Sequence, residues 1–306
     1  MSTLRTHVDD YLRLRRALGF KLEREGRWLA ELAAYVDAAG GETLTSELAI
    51  AWASQRASAG PNGWAKRLGA ARKFAAYLQT ILPATEVPPP GVFPSRRHRP
   101  TPYLWSQQDI ARLLEGARTL ASPLRAATHE AIFGLIAATG MRIGEAVGLE
   151  RSDVDLGAGV ITIRHAKFDR PRLVPLHATV TEALRRYTSE RDRLCPRPAS
   201  TAFFVSSVGT RLNRSGVAKT LRQITTEMGI RTDTVHPRIH DLRHSFAVQT
   251  IIEWQRSGAS IDDNIATLST YLGHVSPADT YWYLSASPEL MELAAQRLDA
   301  RFGAGQ

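Results

Sequence analysis

The chain has 306 residues, length enough for two domains, and its 43% hydrophobic content is that of a soluble globular protein. No apolar run reaches the roughly 18 residues of a membrane span, the charged start MSTLRTHVDDYLRLRRALG excludes a secretory signal, and the single cysteine, Cys195, excludes a disulfide framework and fits a cytoplasmic location. A net charge of +9 makes a polyanion, nucleic acid first, the expected partner.

The first segment reads as four helices. Leu4, Val8, Leu12 and Leu14 recur near helical spacing up to a glycine stop at Gly19. A second helix is predicted over 24–39, closed by Gly40-Gly41. A third starts at the caps Thr45 and Ser46 and ends near Gly60, and a fourth covers 62–82 before Pro83. Lys66, Arg67, Arg72 and Lys73 cluster on this fourth helix. They form either a solvated face or a set of phosphate contacts, and the basic residues that follow favour the second. EVPPPGVFPSRRHRPTP, residues 86–102, is an extended linker, since proline neither propagates a helix nor donates to a sheet. The domains expected are thus 1–85, the linker 86–102, and 103–306.

The second segment opens on a helix capped by Ser106. A second, apolar helix, HEAIFGLIAATG, stops at Gly140. VITIRHAKFDRPRLVPL alternates on both sides of a polar turn, the pattern of a β-hairpin with Lys167 near its tip, and AFFVSS suggests a further short strand. From Gly216 onward the pattern is helical again. The fold class is therefore mostly α with a small β-sheet.

Four stations in this segment carry chemistry. Arg142 follows the glycine stop in TGMRIGEA and begins a helix; the bland alternative is a surface pair with Glu145 or Glu150. In HPRIHDLRHSFAVQT, Pro237 blocks entry from upstream and Asp241 is placed to cap the next helix, with His240 just before it and Arg243 in its first turn, a good anion site. His240 and His244 are four apart, but no HExxH pattern, cysteine or carboxylate cluster completes a metal set, so no metal is expected. Lys167 on the hairpin tip is a solvated lysine or a general acid. LGHVSPADTYWYLS places His274 in a turn ahead of a new helix, on which Tyr281 and Tyr283 lie about 200° apart. Only one of these tyrosines can face the site, and the spacing alone does not say which.

Together the stations suggest metal-free phosphoryl transfer. Two arginines would clamp a phosphodiester and stabilise the extra charge of its transition state. A tyrosine hydroxyl, ordinarily of pKa about 10, needs such a field and a nearby base to attack. His240 would be the base, His274 a hydrogen-bond donor, and Lys167 the acid that protonates the leaving oxygen.

These residues resemble the tyrosine site-specific recombinases of the phage integrase family. The matching motifs are Thr139-Gly140-Met141-Arg142-Ile143-Gly144-Glu145, Lys167 five residues before Arg172-Leu173-Val174-Pro175-Leu176, His240-Asp241-Leu242-Arg243-His244, and Leu272-Gly273-His274. In that family the nucleophile stands nine residues after the last histidine, so the resemblance implies Tyr283 as nucleophile and Tyr281 as packing. It also implies a helical core-binding domain and a catalytic domain that clamp duplex DNA, a 3′-phosphotyrosyl intermediate, a Holliday junction, and no cofactor. The expected partners are double-stranded recombination sites and further copies of the chain. Four would form a synapse, exchanging the amphipathic C-terminal stretch LMELAAQRLDARF, and other recombinases of the same element remain open as partners. TYWYLS departs from the Xer-type tyrosine context and points to an integrase of a transposon or other mobile element. The competing readings are a type IB topoisomerase and a catalytically silent DNA-binding accessory protein.

Overall fold

The computed structural model describes residues 3–94, 101–164, 171–274 and 278–285, together with 290 and 292. The chain divides into two compact units, Met1–Arg99 and Pro100–Gln306. Most of the molecule is helical, with one small sheet. Among the described residues no helix is long and apolar enough to cross a membrane.

The first unit is built from α1 (Thr3–Ala17), α2 (Glu23–Ala38), α3 (Ser46–Ser54) and α4 (Gly60–Leu78). Val8, Leu32, Val36, Trp52, Phe74 and Leu78 are buried in its core. The expected core position Leu14 is half exposed instead. The buried stripe of α1 runs through Leu4, Val8, Tyr11 and Leu12, so Leu14 falls off that face. The Thr45 side chain caps α3 by accepting from the Leu48 N–H at 3.2 Å. This helix ends at Ser54, short of the expected Gly60, and a 3-10 turn over Ala57–Ala59 follows it.

The second unit begins with α5 (Gln107–Arg118), held by a reciprocal capping box between Ser106 and Asp109. The next helix, α6 (Pro123–Thr139), buries Ile132, Phe133, Leu135 and Ile136 at the centre of the larger core. After the short α7 (Ile143–Gly148) come three antiparallel strands: β1 (Val154–Asp155), β2 (Val160–Ile163) and β3 (Arg172–Pro175). Ile161 lies opposite Val174, and both are buried, which fixes the register of β2 and β3. The expected strand at AFFVSS is reduced to isolated bridges, Glu150 with Ala202 and Val205 with Arg211. Its Phe203 and Phe204 are nevertheless buried against Tyr187.

The sequence reading passed over α8 (Ala178–Leu194), whose buried positions Leu184, Tyr187 and Arg191 are diluted by charged neighbours. The remaining helices are α9 (Arg214–Glu227), α10 (Ile239–Arg256), α11 (Ile261–Leu272) and α12 (Ala278–Tyr281), the last running into a 3-10 turn over Trp282–Ser285. A second cluster joins α10 and α11 to Tyr283 and Leu290.

Candidate active site

Two glycine-stopped helices point their terminal carbonyls at arginines. The first, α6, ends at Gly140 in the left-handed region (φ 62°), and the Gly140 carbonyl accepts from Nη1 of Arg243 at 2.7 Å. A Cβ at this position would meet Phe246 at 2.6 Å and Leu272 at 2.9 Å, so glycine is required twice over, by conformation and by space. The second, α11, ends at Gly273 (φ 67°), whose carbonyl accepts from Nη2 of Arg142 at 2.7 Å. Here a Cβ would meet Nη1 of Arg172 at 2.9 Å. The neighbouring Leu272 carbonyl accepts from Nη2 of Arg243 at 2.8 Å. Helix C-termini leave such carbonyls without intrahelical partners and carry partial negative charge, which suits a guanidinium.

Arg142 stands at the N-terminal boundary of α7 in extended conformation. Its N–H donates to Oε2 of Glu145 at 3.0 Å and its Nη1 donates to Oε1 at 2.8 Å. This is the pairing considered from sequence, but it is no surface pair, because Glu145 is buried. Arg172, at the start of β3, donates to the same carboxylate through both Nη atoms at 3.0 and 2.8 Å. Burial alone would raise the Glu145 pKa; the bonds from Arg172 and then Arg142 outweigh it and hold the carboxyl at about 2. Two guanidiniums therefore share one carboxylate.

The excess positive charge falls on Arg243, which is 1% exposed. Its two Nη atoms donate to carbonyls, the Tyr283 hydroxyl lies beside it, and among the described residues its Nε has no acceptor within hydrogen-bonding geometry. Burial, then the charge of Arg142, lowers its pKa to about 10, while the Tyr283 hydroxyl beside it and Glu145 act in the opposite direction. It thus stays ionised at neutral pH in a place where charge is poorly solvated.

The helix carrying Arg243 begins earlier than Asp241 suggested. Arg238, not Asp241, is the boundary residue of α10, and Asp241 is its third helical residue, accepting from the Arg238 N–H at 2.8 Å and from its guanidinium at 2.7 Å. Pro237 keeps the entering chain out of the helix, and the Asp241 carboxylate then finds the Arg238 N–H. His240 consequently lies inside the first turn. Loss of hydration lowers its pKa, with Arg243 pushing the same way, Asp241 opposing, and Arg238 and Arg142 adding to the fall.

Tyr283 is 2% exposed and Tyr281 46% exposed. The expectation that Tyr281 is packing is therefore wrong: the turn of the chain sends it to solvent. Tyr283 instead lies between two histidines. The His274 ring stacks on it with centroids 5.8 Å apart, and His244 meets it edge-on at 4.8 Å. The Trp282 ring packs on that of His244, centroids 4.3 Å apart. The His274 ring is oriented through Nδ1, 2.7 Å from the Thr280 hydroxyl.

Arg142, Arg243, His274 and Tyr283 are thus brought together, and His240 reaches them through His244, its ring 5.2 Å from that of His244. Lys167 lies outside the described residues, as do Ser276 and Pro277 of the expected cap and most of the C-terminal stretch. In the first unit, Lys66 and Lys73 are exposed. Arg67 is not available to a phosphate: it is 3% exposed, lies 4.0 Å over the Trp52 ring, donates to the Trp52 carbonyl, and pairs with Glu31 at 3.2 Å. Arg72 donates to the Pro88 and Pro89 carbonyls. Among the described residues no three His, Cys, Asp or Glu side chains are placed to share a metal ion.

The sequence reading missed the parts played by Glu145 and Arg172. The signal for Glu145 was its place three residues after Arg142, the position from which a carboxylate reaches back to a helix start. Arg172 heads a matched motif, but nothing local gives its role, because its partners are 27 and 99 residues away.

The model of the phage integrase family matches residues 105–289. The integrase/recombinase y4rB of Sinorhizobium fredii (strain NBRC 101917 / NGR234) is 43% identical over 99% of both chains. The tyrosine recombinase XerC of Azotobacter vinelandii (strain DJ / ATCC BAA-1303) is 30% identical over 90% of this chain and 84% of its own. Among solved structures, the Tn1549 transposon integrase in complex with a circular intermediate DNA shares the fold with a TM-score of 0.67 at 14% identity, covering 97% of this chain and 100% of that one. A fold dominated by helices, a match spanning the site and relatives aligned along almost the whole length lead to one conclusion: the chain belongs to the phage integrase family, the tyrosine recombinases, whose reaction is site-specific recombination.

Proposed function

We propose that Tyr283 is the nucleophile that cleaves DNA at a recombination site. Its phenolic oxygen attacks phosphorus, the bond to the 5′ oxygen breaks, and a 3′-phosphotyrosyl link remains. His240, kept neutral by its surroundings, accepts the phenolic proton, and Lys167 protonates the departing oxygen. Arg142 and Arg243 face the non-bridging oxygens, and His274 adds a hydrogen bond. The 5′ hydroxyl of the partner strand then attacks the phosphotyrosine, so each P–O bond broken is replaced and no ATP is consumed.

The observation that carries this reading is the environment of Arg243. A buried guanidinium with no carboxylate of its own, beside a buried tyrosine hydroxyl, favours an anion that gains charge at that point. Trapping tests it: the chain is incubated in EDTA with nicked duplexes bearing the ends of its genetic element, then denatured. A covalent protein–DNA band lost in Tyr283→Phe and kept in Tyr281→Phe is the expected result. The opposite pattern would reassign the nucleophile, and tight binding with no band would favour an accessory DNA-binding role.

The helical unit serves as the core-binding domain, with the exposed Lys66 and Lys73 as its phosphate contacts. The TYWYLS context of Tyr283 favours an integrase of a transposon or other mobile element. Four copies acting on two DNA sites in the cytoplasm, joined through the C-terminal stretch, complete the reading.

A further inference from the structure

Arg172 has no part in the chemistry just described, yet all three of its guanidinium nitrogens are committed beside it. Both of its Nη atoms donate to Glu145, the carboxylate that also takes the N–H and Nη1 of Arg142. Its Nε donates to the Tyr271 carbonyl at 3.0 Å, one residue before the Leu272 carbonyl that holds Arg243. The guanidinium also fills the space where Gly273 lacks a Cβ. At the same time Arg172 opens β3, the return strand of the hairpin whose connection contains Lys167. The other strand is fastened separately, by the ion pair of Arg164 with the buried Asp153.

We propose that Arg172 is a positioning residue for strand cleavage: it locks Arg142 through Glu145 and ties the start of β3 to the carbonyl end of α11. The two helix ends that hold Arg142 and Arg243 are thereby joined. A planar fork is needed for this, because three donors must meet a carboxylate and a carbonyl in fixed directions, which a lysine cannot do. The proposal rests on the role given above to Arg142.

The test compares wild type, Arg172→Ala, Arg172→Lys and Tyr283→Phe for the first-order rate of covalent complex formation at saturating DNA, DNA affinity and thermal midpoint. Arg172→Ala is expected to bind DNA as wild type does while its cleavage rate at saturating DNA falls about a hundredfold. Arg172→Lys is expected to recover little of that rate, since it returns the charge without the fork. An unchanged rate in Arg172→Ala, a loss of rate that only follows the unfolded fraction, or full recovery in Arg172→Lys overturns the proposal. A wild-type chain that forms no adduct overturns the site assignment instead and takes the proposal with it.

Discussion

Arg67 in the helical unit and Arg243 in the catalytic unit are both almost completely buried, but they are buried in opposite ways. Arg67 lies flat on Trp52 and pairs with Glu31, so its charge is answered on the spot. Arg243 meets carbonyl oxygens, and the nearby carboxylate, Glu145, is already engaged by Arg142 and Arg172. A buried arginine with its own carboxylate is part of the scaffold. One supported only by dipoles holds an electrostatic debt that an incoming phosphate settles, and that distinguishes a site from a scaffold more sharply than burial does.

The contrast is broken most directly at Arg243. Arg243→Ala is expected to slow covalent complex formation by about a thousandfold while DNA affinity, measured by titration, changes little. Equal losses in both would make Arg243 an anchor like Arg67.

Glu145 gives the next largest effect. Its folded pKa of about 2 lies below the ordinary 4.5, so its stabilisation is full above pH 4.5 and is lost as pH falls toward 2. The difference corresponds to ~3 kcal/mol. Urea titrations of Glu145→Gln across this range should show stability falling less steeply with acid than in wild type. Arg67→Ala should cost about 2 kcal/mol through lost packing on Trp52 and the lost bonds to its carbonyl and to Glu31, with cleavage by the folded fraction unchanged.

Cleavage by wild type should keep its rate on acidification until below pH 6.5, because His240 is held neutral there by its surroundings. A midpoint above 6.5 would remove His240 as the base. The smallest effect belongs to the surface: Lys66→Ala and Lys73→Ala should each reduce the slope of log affinity against log salt by about 1, whereas an Arg67 variant that remains folded should not.

Much of this was legible in the sequence because it is local. Gly19 and Gly140 announced helix stops, Ser106 and Thr45 announced starts, and alternation announced the hairpin. What was hidden depends on distant partners. Arg67 reads as one more basic residue on α4 until α2 brings Glu31 beneath it, and Arg172 reads as a strand residue until Tyr271 and Glu145 arrive. The start of α10 was misplaced because Asp241 satisfies a helix-end N–H from either side of the boundary, and only Arg238's extended backbone decides which. The exposure of Tyr281 was hidden likewise, since helical spacing opposes two residues without saying which is inside.

The carbonyl bonds to the two arginines span 131 residues for Arg142 with Gly273 and 103 for Arg243 with Gly140. Contacts so far apart in sequence close late, after the loop entropy between them has been overcome. On a ribosome this chain has exposed its helical unit, then both arginines, well before residue 273 emerges to draw them together. A growing chain therefore carries basic side chains able to touch nucleic acid before it carries Tyr283, the proposed nucleophile.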